Sequence, residues 1–357
     1  MADWTQGMAR TYEYWRVNPD TWGDVELLDS ITGCTIVRDS DEDTLGHATF
    51  EMDPLGSEDG VWDSETIIRV YLITLSRGVR ERWPLGTYLV QAPSMSFDGS
   101  RGSVSADGYS PLKELADNYP PDFYSVDSGN IAARAAAIVE NYSRVRAVRP
   151  NLDGELTGSY VADDESWLEY VTGLLSKGNA KMELTPRGEV VFAPVQDPRS
   201  LAPARTFDDG NSSILLPEAE VSSNLIEIPN VVRVVFSEES RCLTAEVVND
   251  DPSHPNSTVN VGRKKVYRET SPDLPDNPTQ EDVDLYAESL MRQHGAANYE
   301  VTFSHGFVPD VTLGTAVRLN YKAMGVNVVA QVVSQTIECT PACTVATTAR
   351  YTKQEVA

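Results

Sequence analysis

Acidic residues follow one another closely in the run Asp39–Asp43, D-S-D-E-D, which begins like a calcium-binding loop. An EF-hand loop needs glycine at its sixth position and glutamate at its twelfth. This chain has Thr44 and Phe50 at those positions. The run therefore predicts a solvated acidic turn and no calcium site.

A second acidic group, Asp163, Asp164 and Glu165, could supply the general acid and base of a hydrolase. These residues come directly before an apolar pattern of helical spacing that starts at Trp167. Carboxylates at a helix N-terminus are stabilised by the helix dipole, so capping explains them without any chemistry. We predict that Asp163 and Asp164 cap a helix and that the group is not catalytic.

Cysteine and histidine are the other residue types that could bind a metal or act in catalysis. Cys339 and Cys343 bracket a Thr-Pro-Ala turn, so their sulfur atoms could face each other across a hairpin. We predict isolated thiols, with a disulfide or a metal site at this turn as alternatives. A zinc site would lack its second pair of ligands, because the histidines stand apart, at His47, His254, His294 and His305.

Catalytic and nucleotide-binding motifs are absent from the sequence: it has no nucleophile elbow, P-loop, H-E-x-x-H or dinucleotide fingerprint. The sequence therefore predicts no catalytic, cofactor-binding or metal-binding residues, no cofactor, and a protein that is not an enzyme.

Composition sets further limits on function. The chain has 357 residues, and its 29 basic and 54 acidic side chains give a net charge of −25. Such a charge repels nucleic acids and anionic membranes, so stable nucleic-acid binding is not expected. No run of 18 apolar residues occurs, and the N-terminus lacks the apolar core of a signal peptide, which predicts synthesis in the cytoplasm. The length predicts two to four domains.

Alternation of apolar and polar residues dominates the first hundred residues and predicts half-buried strands. Residues 68–73 form one such strand, the turn Ser76–Gly78 follows, and residues 86–91 form its partner. Residues 25–28 and 34–38 are predicted to pair with each other as a second set of strands.

From Ser110 to about Phe207 the period changes from two to 3.6, which predicts helices. We predict three helices followed by a hairpin, over residues 111–118, 131–143, 167–178, and 181–184 with 189–192. Four prolines between Ala193 and Pro217 predict an extended linker. The later elements are a central strand from residue 231, a helix opened by the capping box Thr279–Asp282, and strands at 300–304, 317–321, 326–337 and 343–352.

Four blocks of the sequence resemble the tail hub, or baseplate hub, proteins of long-tailed bacteriophages. The first block joins the strand R-V-Y to L-G-T-Y-L-V, then D-G-Y and S-P-L-K-E-L, within residues 69–115. The other three blocks are S-W-L-E-Y-V-T-G-L-L with its hairpin from residue 166, P-N-V-V-R-V from residue 229, and L-G-T-A-V from residue 313.

The resemblance implies an α+β, mainly β fold with two barrel-like antiparallel β domains, an intervening α/β domain and a helical insertion. Residues 1–108 would be the first tube-forming β-barrel domain and residues 109–208 the α/β domain. Residues 209–262 and 297–357 would form the second β-barrel domain, and residues 263–296 the loop and helix insertion.

The resemblance also implies a function: a structural hub in the tail tip of the virion. The chain would form a homotrimeric ring that continues the tail tube and lets DNA pass through its lumen. One face would bind the tail tube or distal tail protein, the other a tip, fibre or plug protein, with the tape-measure protein as a further partner. A spike hub of a cellular injection system would share this mechanism.

The alternative from another class is a carbohydrate-binding or wall-hydrolysing tail component. The first 22 residues are rich in aromatic side chains, which could stack on sugar rings. Half-buried strands use the same residues, so the segment also fits an ordinary sheet. These aromatic residues are Trp4, Tyr12, Tyr14, Trp15 and Trp22.

Overall fold

The computed structural model of the chain describes residues 4, 8–53, 65–91, 93–97, 102–148, 152, 154–196, 200–210, 214–222, 226–238, 241–270, 272, 278–295 and 298–352. The fold is α+β and mainly β, as the sequence predicts. The chain divides into two compact units. The first unit comprises Met1–Glu218 and Phe303–Thr348, and the second comprises Ala219–Thr302 and Ala349–Ala357.

The first unit opens with an antiparallel sheet. Its strands are β1 (Ala9–Val17), β2 (Asp24–Leu27), β3 (Ile31–Asp39), β4 (Gly46–Met52), β5 (Thr66–Ser76), β6 (Val79–Val90), β7 (Ser94–Phe97) and β8 (Gly102–Tyr109). Strands β3, β4, β8, β6, β5, β1 and β2 are hydrogen-bonded in this order. Alternate side chains enter one core, where Phe50, Ile68 and Leu72 are fully buried. Each buried side chain of this kind stabilises the fold by about 1.5–3 kcal/mol.

One predicted strand pairing is wrong, because β2 pairs with β1 and not with β3. The connection between β1 and β2 is a tight turn in which the amide of Asn18 donates to the carbonyl of Gly23 at 2.9 Å. This turn folds β2 back onto β1. Strand β3 pairs instead with β4, through the register Thr35 to Thr49.

Small strands and helices follow β8. They are α1 (Lys113–Ala116), β9 (Ser125–Val126), β10 (Gly129–Asn130), α2 (Ile131–Tyr142), β11 (Ala147–Val148), β12 (Glu155–Leu156), β13 (Tyr160–Val161), α3 (Trp167–Lys177), β14 (Ala180–Leu184) and β15 (Val190–Pro194). The second and third predicted helices and the β14–β15 hairpin are confirmed. Helix α1 is shorter than predicted. Helices α2 and α3 bury Trp167 and Tyr170 in a core of their own.

The cap of α3 differs from the prediction. Its N-cap is Ser166, whose Oγ accepts from the amide of Glu169 at 3.3 Å while the Glu169 carboxylate accepts from the amide of Ser166 at 2.7 Å. This reciprocal pair is a capping box. Asp163 and Asp164 lie outside the helix and are exposed, so their prediction as the cap is wrong.

The predicted linker contains regular structure. Strand β16 (Arg205–Asp208) lies within it, and β17 (Leu215–Ser222) begins at its end. The second unit contains β18 (Val231–Glu238), β19 (Arg241–Val248), α4 (Thr258–Val261), β20 (Val266–Glu269) and α5 (Gln280–His294). Strand β18 is the central strand of a small sheet, as predicted, and lies between β19 and β20. The capping box of Thr279 and Asp282 on α5 is confirmed.

The last strands are β21 (Asn298–Gly306), β22 (Ala316–Tyr321), β23 (Val326–Glu338) and β24 (Thr344–Thr352). Strand β16 pairs in parallel with β22, which explains why a proline-rich segment is ordered as a strand. The first half of β23 pairs with β22, and its second half pairs with β3 through Ile337 and Ile36. Strand β23 therefore joins the end of the chain to the opening sheet.

Candidate assembly surface

Two strands of the first unit form exposed sheet edges. In the described part of the chain, β2 pairs with β1 and β7 pairs with β8, and neither strand has a second partner. An edge strand presents unpaired amide and carbonyl groups on which a strand of another chain can form a ladder. These two strands are therefore candidate sites for protein–protein contact.

Both edges carry apolar side chains that face solvent. On β7, Met95 and Phe97 are 67% and 70% exposed, and on β2, Val25 and Leu27 are 55% and 41% exposed. The two members of each pair are two residues apart, so each pair lies on one face of its strand. Charges are one feature that protects such edges, and β2 carries Asp24 and Glu26, whereas β7 carries only serines beside its apolar pair. We call β2 and β7 with these four side chains the edge surface.

The hairpin of β5 and β6 also carries two exposed apolar side chains near its tip. Ser76 and Val79 flank a two-residue turn formed by Arg77 and Gly78. Leu75 and Val79 are 50% and 53% exposed, and they lie on opposite faces of the hairpin because Leu75 pairs with Arg80. Both turn residues have positive φ, 50° and 81°. A two-residue turn of this kind matches the twist of the strands and fixes their register up to the tip.

Asp24 fixes the position of β2, the first half of the edge surface. Its Oδ1 accepts from Nη1 of Arg69 at 2.8 Å, and its Oδ2 accepts from the hydroxyl of Tyr71 at 2.8 Å. Burial and the bond to Asp24 raise the pKa of Tyr71, so the phenol stays protonated. The guanidinium of Arg69 also donates to the carbonyls of Trp22 and Arg187. One buried cation thus ties the edge strand to the β14–β15 hairpin.

A cavity of about 700 Å³ lies between the first sheet, helix α3 and the loop before β22. Acidic side chains from the turn at residues 41–43 line it, together with Glu169, Glu183, Arg38 and Lys181. Glu183 pairs with Lys181 at 2.9 Å. Arg38 donates to the carbonyl of Leu85 at 2.7 Å, and burial lowers its pKa. Arg38 thus joins β3 to β6, whereas the ion pair of Lys181 and Glu183 lies within β14.

The two acidic groups singled out in the sequence lie in different surroundings. The run Asp39–Asp43 forms the turn between β3 and β4, where Oδ1 of Asp39 accepts from the amide of Asp41 at 2.8 Å. Burial raises the pKa of Glu165 beside α3. No group of three His, Cys, Asp or Glu side chains in the described ranges is placed to hold a metal ion.

The histidines do not come together. His305 is fully buried, with Nδ1 at 2.8 Å from the carbonyl of Gly306 and Nε2 at 2.9 Å from Oγ1 of Thr347. Burial lowers its pKa to about 4. His47 lies 3.2 Å from Glu42, and His294 stacks on Tyr267 in the second unit. Each therefore has a local structural partner.

The cysteines are free thiols in this structure, so the disulfide between Cys339 and Cys343 is not formed. Cys34 and Cys343 are buried, and Cys339 is partly buried. Cys242, on β19 of the second unit, is exposed. The sequence gives no sign that Cys34 lies beside Cys339, since that contact depends on the pairing of β3 with β23.

The aromatic residues at the N-terminus do not form a flat exposed platform. Tyr14 and Trp22 are buried. Trp4 packs edge-on against Trp83 and Phe307, with ring centroids 5.4 Å and 5.5 Å away. Stacking on a sugar would require these ring faces to be accessible.

Comparison with solved structures identifies the fold. A tail protein of Neisseria meningitidis has a TM-score of 0.70 and 11% identity, over 96% of this chain and 97% of that chain. The 43 kDa tail protein of prophage MuSo2 from Shewanella oneidensis has a TM-score of 0.70 and 12% identity, over 96% and 98%. The chain has the fold of prophage tail proteins. A third such tail protein, from Listeria monocytogenes, has a TM-score of 0.54 and 12% identity, over 97% and 96%.

This tail-protein fold agrees with the resemblance found in the sequence blocks. No protein-family model matches the chain, and neither does any curated protein sequence. Among the described residues, no helix of the tail-protein fold is both long enough and apolar enough to cross a bilayer.

The edge surface was missed by sequence reasoning. Met95 and Phe97 alternate with serines, a pattern that reads equally well as a half-buried strand. Their exposure follows from the position of β7 outside β8, which local sequence does not encode. The one local feature of the sequence that is typical of an edge strand is the short length of this alternating segment.

Proposed function

We propose that the chain is a structural hub protein of a phage tail tip or baseplate. Three copies form a ring that continues the tail tube, and DNA passes through the ring during ejection. One face binds the tail tube or distal tail protein, and the other binds a tip, fibre or plug protein. The protein resides in the virion tail tip after synthesis in the host cytoplasm and has no enzymatic activity.

The observation that carries this proposal is the similarity to tail proteins over nearly the whole chain. At a TM-score of 0.70, the alignment with the Neisseria protein covers 96% of this chain. The similarity therefore includes both units and is not confined to one common module. The domain boundaries predicted from the sequence, at residues 108, 208, 262 and 296, are part of the same proposal.

The edge surface supports the proposed assembly of the chain into a ring. In a ring of identical chains, the exposed strands β2 and β7 can pair with a neighbouring copy, which buries Val25, Leu27, Met95 and Phe97. Such pairing converts an aggregation hazard of the monomer into a specific contact.

The net charge of −25 supports the proposed passage of DNA. Proteins that hold DNA neutralise its phosphates with lysine and arginine, whereas an acidic lumen gives no such contacts. DNA can then move through the ring without being retained.

The test is the solution mass of the full chain, measured by light scattering at several concentrations. The monomer has a mass of 39.2 kDa, and we expect three times that value. Phe97→Lys places a charge on the edge surface and should shift the equilibrium towards the monomer. Leu285→Lys, at a side chain of α5 that is 55% exposed, is the matched control and should leave the mass unchanged.

A monomer at every concentration, or an equal effect of both lysine substitutions, would contradict a ring held by the edge surface. Electron microscopy of the trimer then tests for a lumen wide enough for a DNA duplex.

The alternative is a carbohydrate-binding or wall-hydrolysing tail component. The burial of Tyr14 and Trp22 removes two of its five candidate stacking residues. Titration calorimetry with purified host wall polysaccharide distinguishes the two functions: a hub gives no saturable heat, and the alternative gives binding or cleavage.

A further inference from the structure

Three cysteines from distant parts of the sequence lie in one region of the first unit. Cys34 and Cys343 belong to the buried core of the first sheet, and Cys339 packs against that core. The sequence pattern drew attention to Cys339 and Cys343 alone, because only these two are close in the chain. The fold adds Cys34 to them.

The register of β3 and β23 places Cys34 opposite Cys339. Ile36 pairs with Ile337 and Thr35 pairs with Glu338, so the next pair along the ladder is Cys34 with Cys339. The amide of Cys339 donates to the carbonyl of Cys34 at 3.0 Å, which continues this register by one residue. The neighbouring thiol of Cys34 also raises the pKa of Cys339, as expected for two thiols that lie side by side.

This arrangement fits the geometry of a disulfide. Because the backbones of Cys34 and Cys339 are hydrogen-bonded to each other, their Cα atoms are expected to be about 5.5 Å apart. Disulfides join Cα atoms that are about 4.4–6.8 Å apart. The bond between Cys34 and Cys339 therefore requires rotation of side chains and no rearrangement of the strands.

Cys343 is the competing partner for Cys339, and its surroundings disfavour that role. It lies beside Tyr12, whose hydroxyl donates to the carbonyl of Thr340 at 2.8 Å. The backbone of Cys343 has a φ of 47°, fixed by the turn in which its amide donates to the carbonyl of Thr340 at 2.9 Å. The backbone of Cys343 is thus fixed in this turn.

We propose that Cys34 and Cys339 are an oxidation site that forms an inter-strand disulfide when the folded protein meets an oxidising environment. The thiols stay reduced in the cytoplasm and become oxidised in particles outside the cell. The expected oxidation outside the cell rests on the proposed location of the protein in a virion.

The oxidant in this proposal is a peroxide. The thiolate of Cys339 attacks one oxygen of hydrogen peroxide, the O–O bond breaks, and a sulfenic acid and hydroxide form. The thiolate of Cys34 then attacks that sulfur, the S–S bond forms, and the S–O bond breaks to release a second hydroxide. The two thiol protons convert both hydroxides to water, and two electrons pass from sulfur to peroxide.

The neighbouring thiol of Cys34 and burial raise the pKa of Cys339 well above its usual value. Because the thiolate is the nucleophile, the reaction is slow at neutral pH and accelerates as the pH rises. The bond would close a loop of roughly 300 residues, and we expect it to raise Tm by on the order of 5–10 °C.

The test uses the full reduced chain, treated with hydrogen peroxide and quenched. Alkylation in denaturant, intact mass and a non-reducing peptide map then report the linkage. We expect the oxidised chain to carry two fewer alkylated cysteines than the reduced chain. The peptide map should show one disulfide-linked pair of peptides, which contain Cys34 and Cys339. Cys242→Ser should give the same linkage, since Cys242 lies on the second unit, and Cys339→Ser should abolish it.

Three results would overturn the proposal. They are four alkylated cysteines after oxidation, a disulfide between Cys339 and Cys343, or a disulfide between the Cys242 residues of two chains with no other linkage. The peptide map of the unsubstituted chain needs no variant to fold. It reads the sulfur linkage whatever the oligomeric state, so its failure is distinct from failure of the proposed hub function.

Discussion

Arg69 and Asp24 form an ion pair of 2.8 Å in which the side chain of Arg69 is 3% exposed and that of Asp24 is 18% exposed. Arg69 lies in the middle of β5, whereas Asp24 begins the edge strand β2. A charge this deeply buried is stable only while its partner and its hydrogen bonds are in place.

Asp24→Asn should destabilise the first unit by about 3 kcal/mol, because it leaves the Arg69 guanidinium buried without a counterion. The measurement is the midpoint of guanidinium chloride unfolding. Glu26→Gln is the matched control, since Glu26 pairs with Arg16 at 2.7 Å while both side chains are over 40% exposed. That exposed pair should contribute less than about 1 kcal/mol. Equal effects of the two substitutions would contradict the role of Arg69.

The stability of the first unit should fall as the pH decreases from about 6.5 to about 4. Burial lowers the pKa of His305 from 6.5 to about 4, so the unfolded chain binds a proton in this window and the folded chain does not. The contribution is complete above pH 6.5 and is lost progressively below it, to a maximum of about 3 kcal/mol. The charged groups that act on His305 are Arg205, which lowers its pKa further, and Asp310, which opposes this.

His305→Gln should remove this part of the pH dependence while it retains hydrogen-bonding atoms near Thr347. Unfolding free energies measured in urea from pH 7.5 to 4.5 give the comparison. The control His254→Gln, in the second unit, should show the same dependence of the unfolding free energy on pH as the unsubstituted chain. An unchanged slope in His305→Gln would show that other groups account for the acid sensitivity.

Ser166→Ala should destabilise α3 by about 1 kcal/mol, because the amide of Glu169 loses its acceptor at the N-cap. Asp163→Asn and Asp164→Asn should change stability by less than half of that, since neither residue caps the helix. Thermal unfolding of the three variants under one set of conditions compares them. A larger loss in the aspartate variants would restore the cap predicted from the sequence.

Arg77→Asn should stabilise the β5–β6 hairpin by up to about 1 kcal/mol. Arg77 has a φ of 50°, a conformation that asparagine adopts more readily than arginine. Gly78→Ala is the opposite control: a Cβ there meets no atom within 4 Å, so its cost comes from a φ of 81° alone. The two variants should shift Tm in opposite directions.

Local patterns predicted most of the individual elements correctly. The hairpins of β5 with β6 and β14 with β15, the helix α5 with its capping box, and the strands after Gly314 all follow from short-range period and turn residues. The cap of α3 was mispredicted because serine and aspartate both favour the N-cap, and only the position of the first helical turn separates them.

Pairings between distant segments could not be predicted from local sequence. The choice of β1 over β3 as partner of β2, the parallel pairing of β16 with β22, and the exposure of β7 all depend on where strands meet in the sheet. For the same reason the candidate surface and the contact of Cys34 with Cys339 emerged only from the fold.

The pairing of β3 with β23 has a consequence for synthesis of the protein. Strand β3 leaves the ribosome early, but the strand that covers its second edge follows roughly 300 residues later. At about 5–20 residues per second, the nascent chain carries this edge uncovered for about 15–60 s. During that interval β3 presents an unpaired strand edge, and such edges are prone to pair with other chains. A slower translation rate lengthens this exposure.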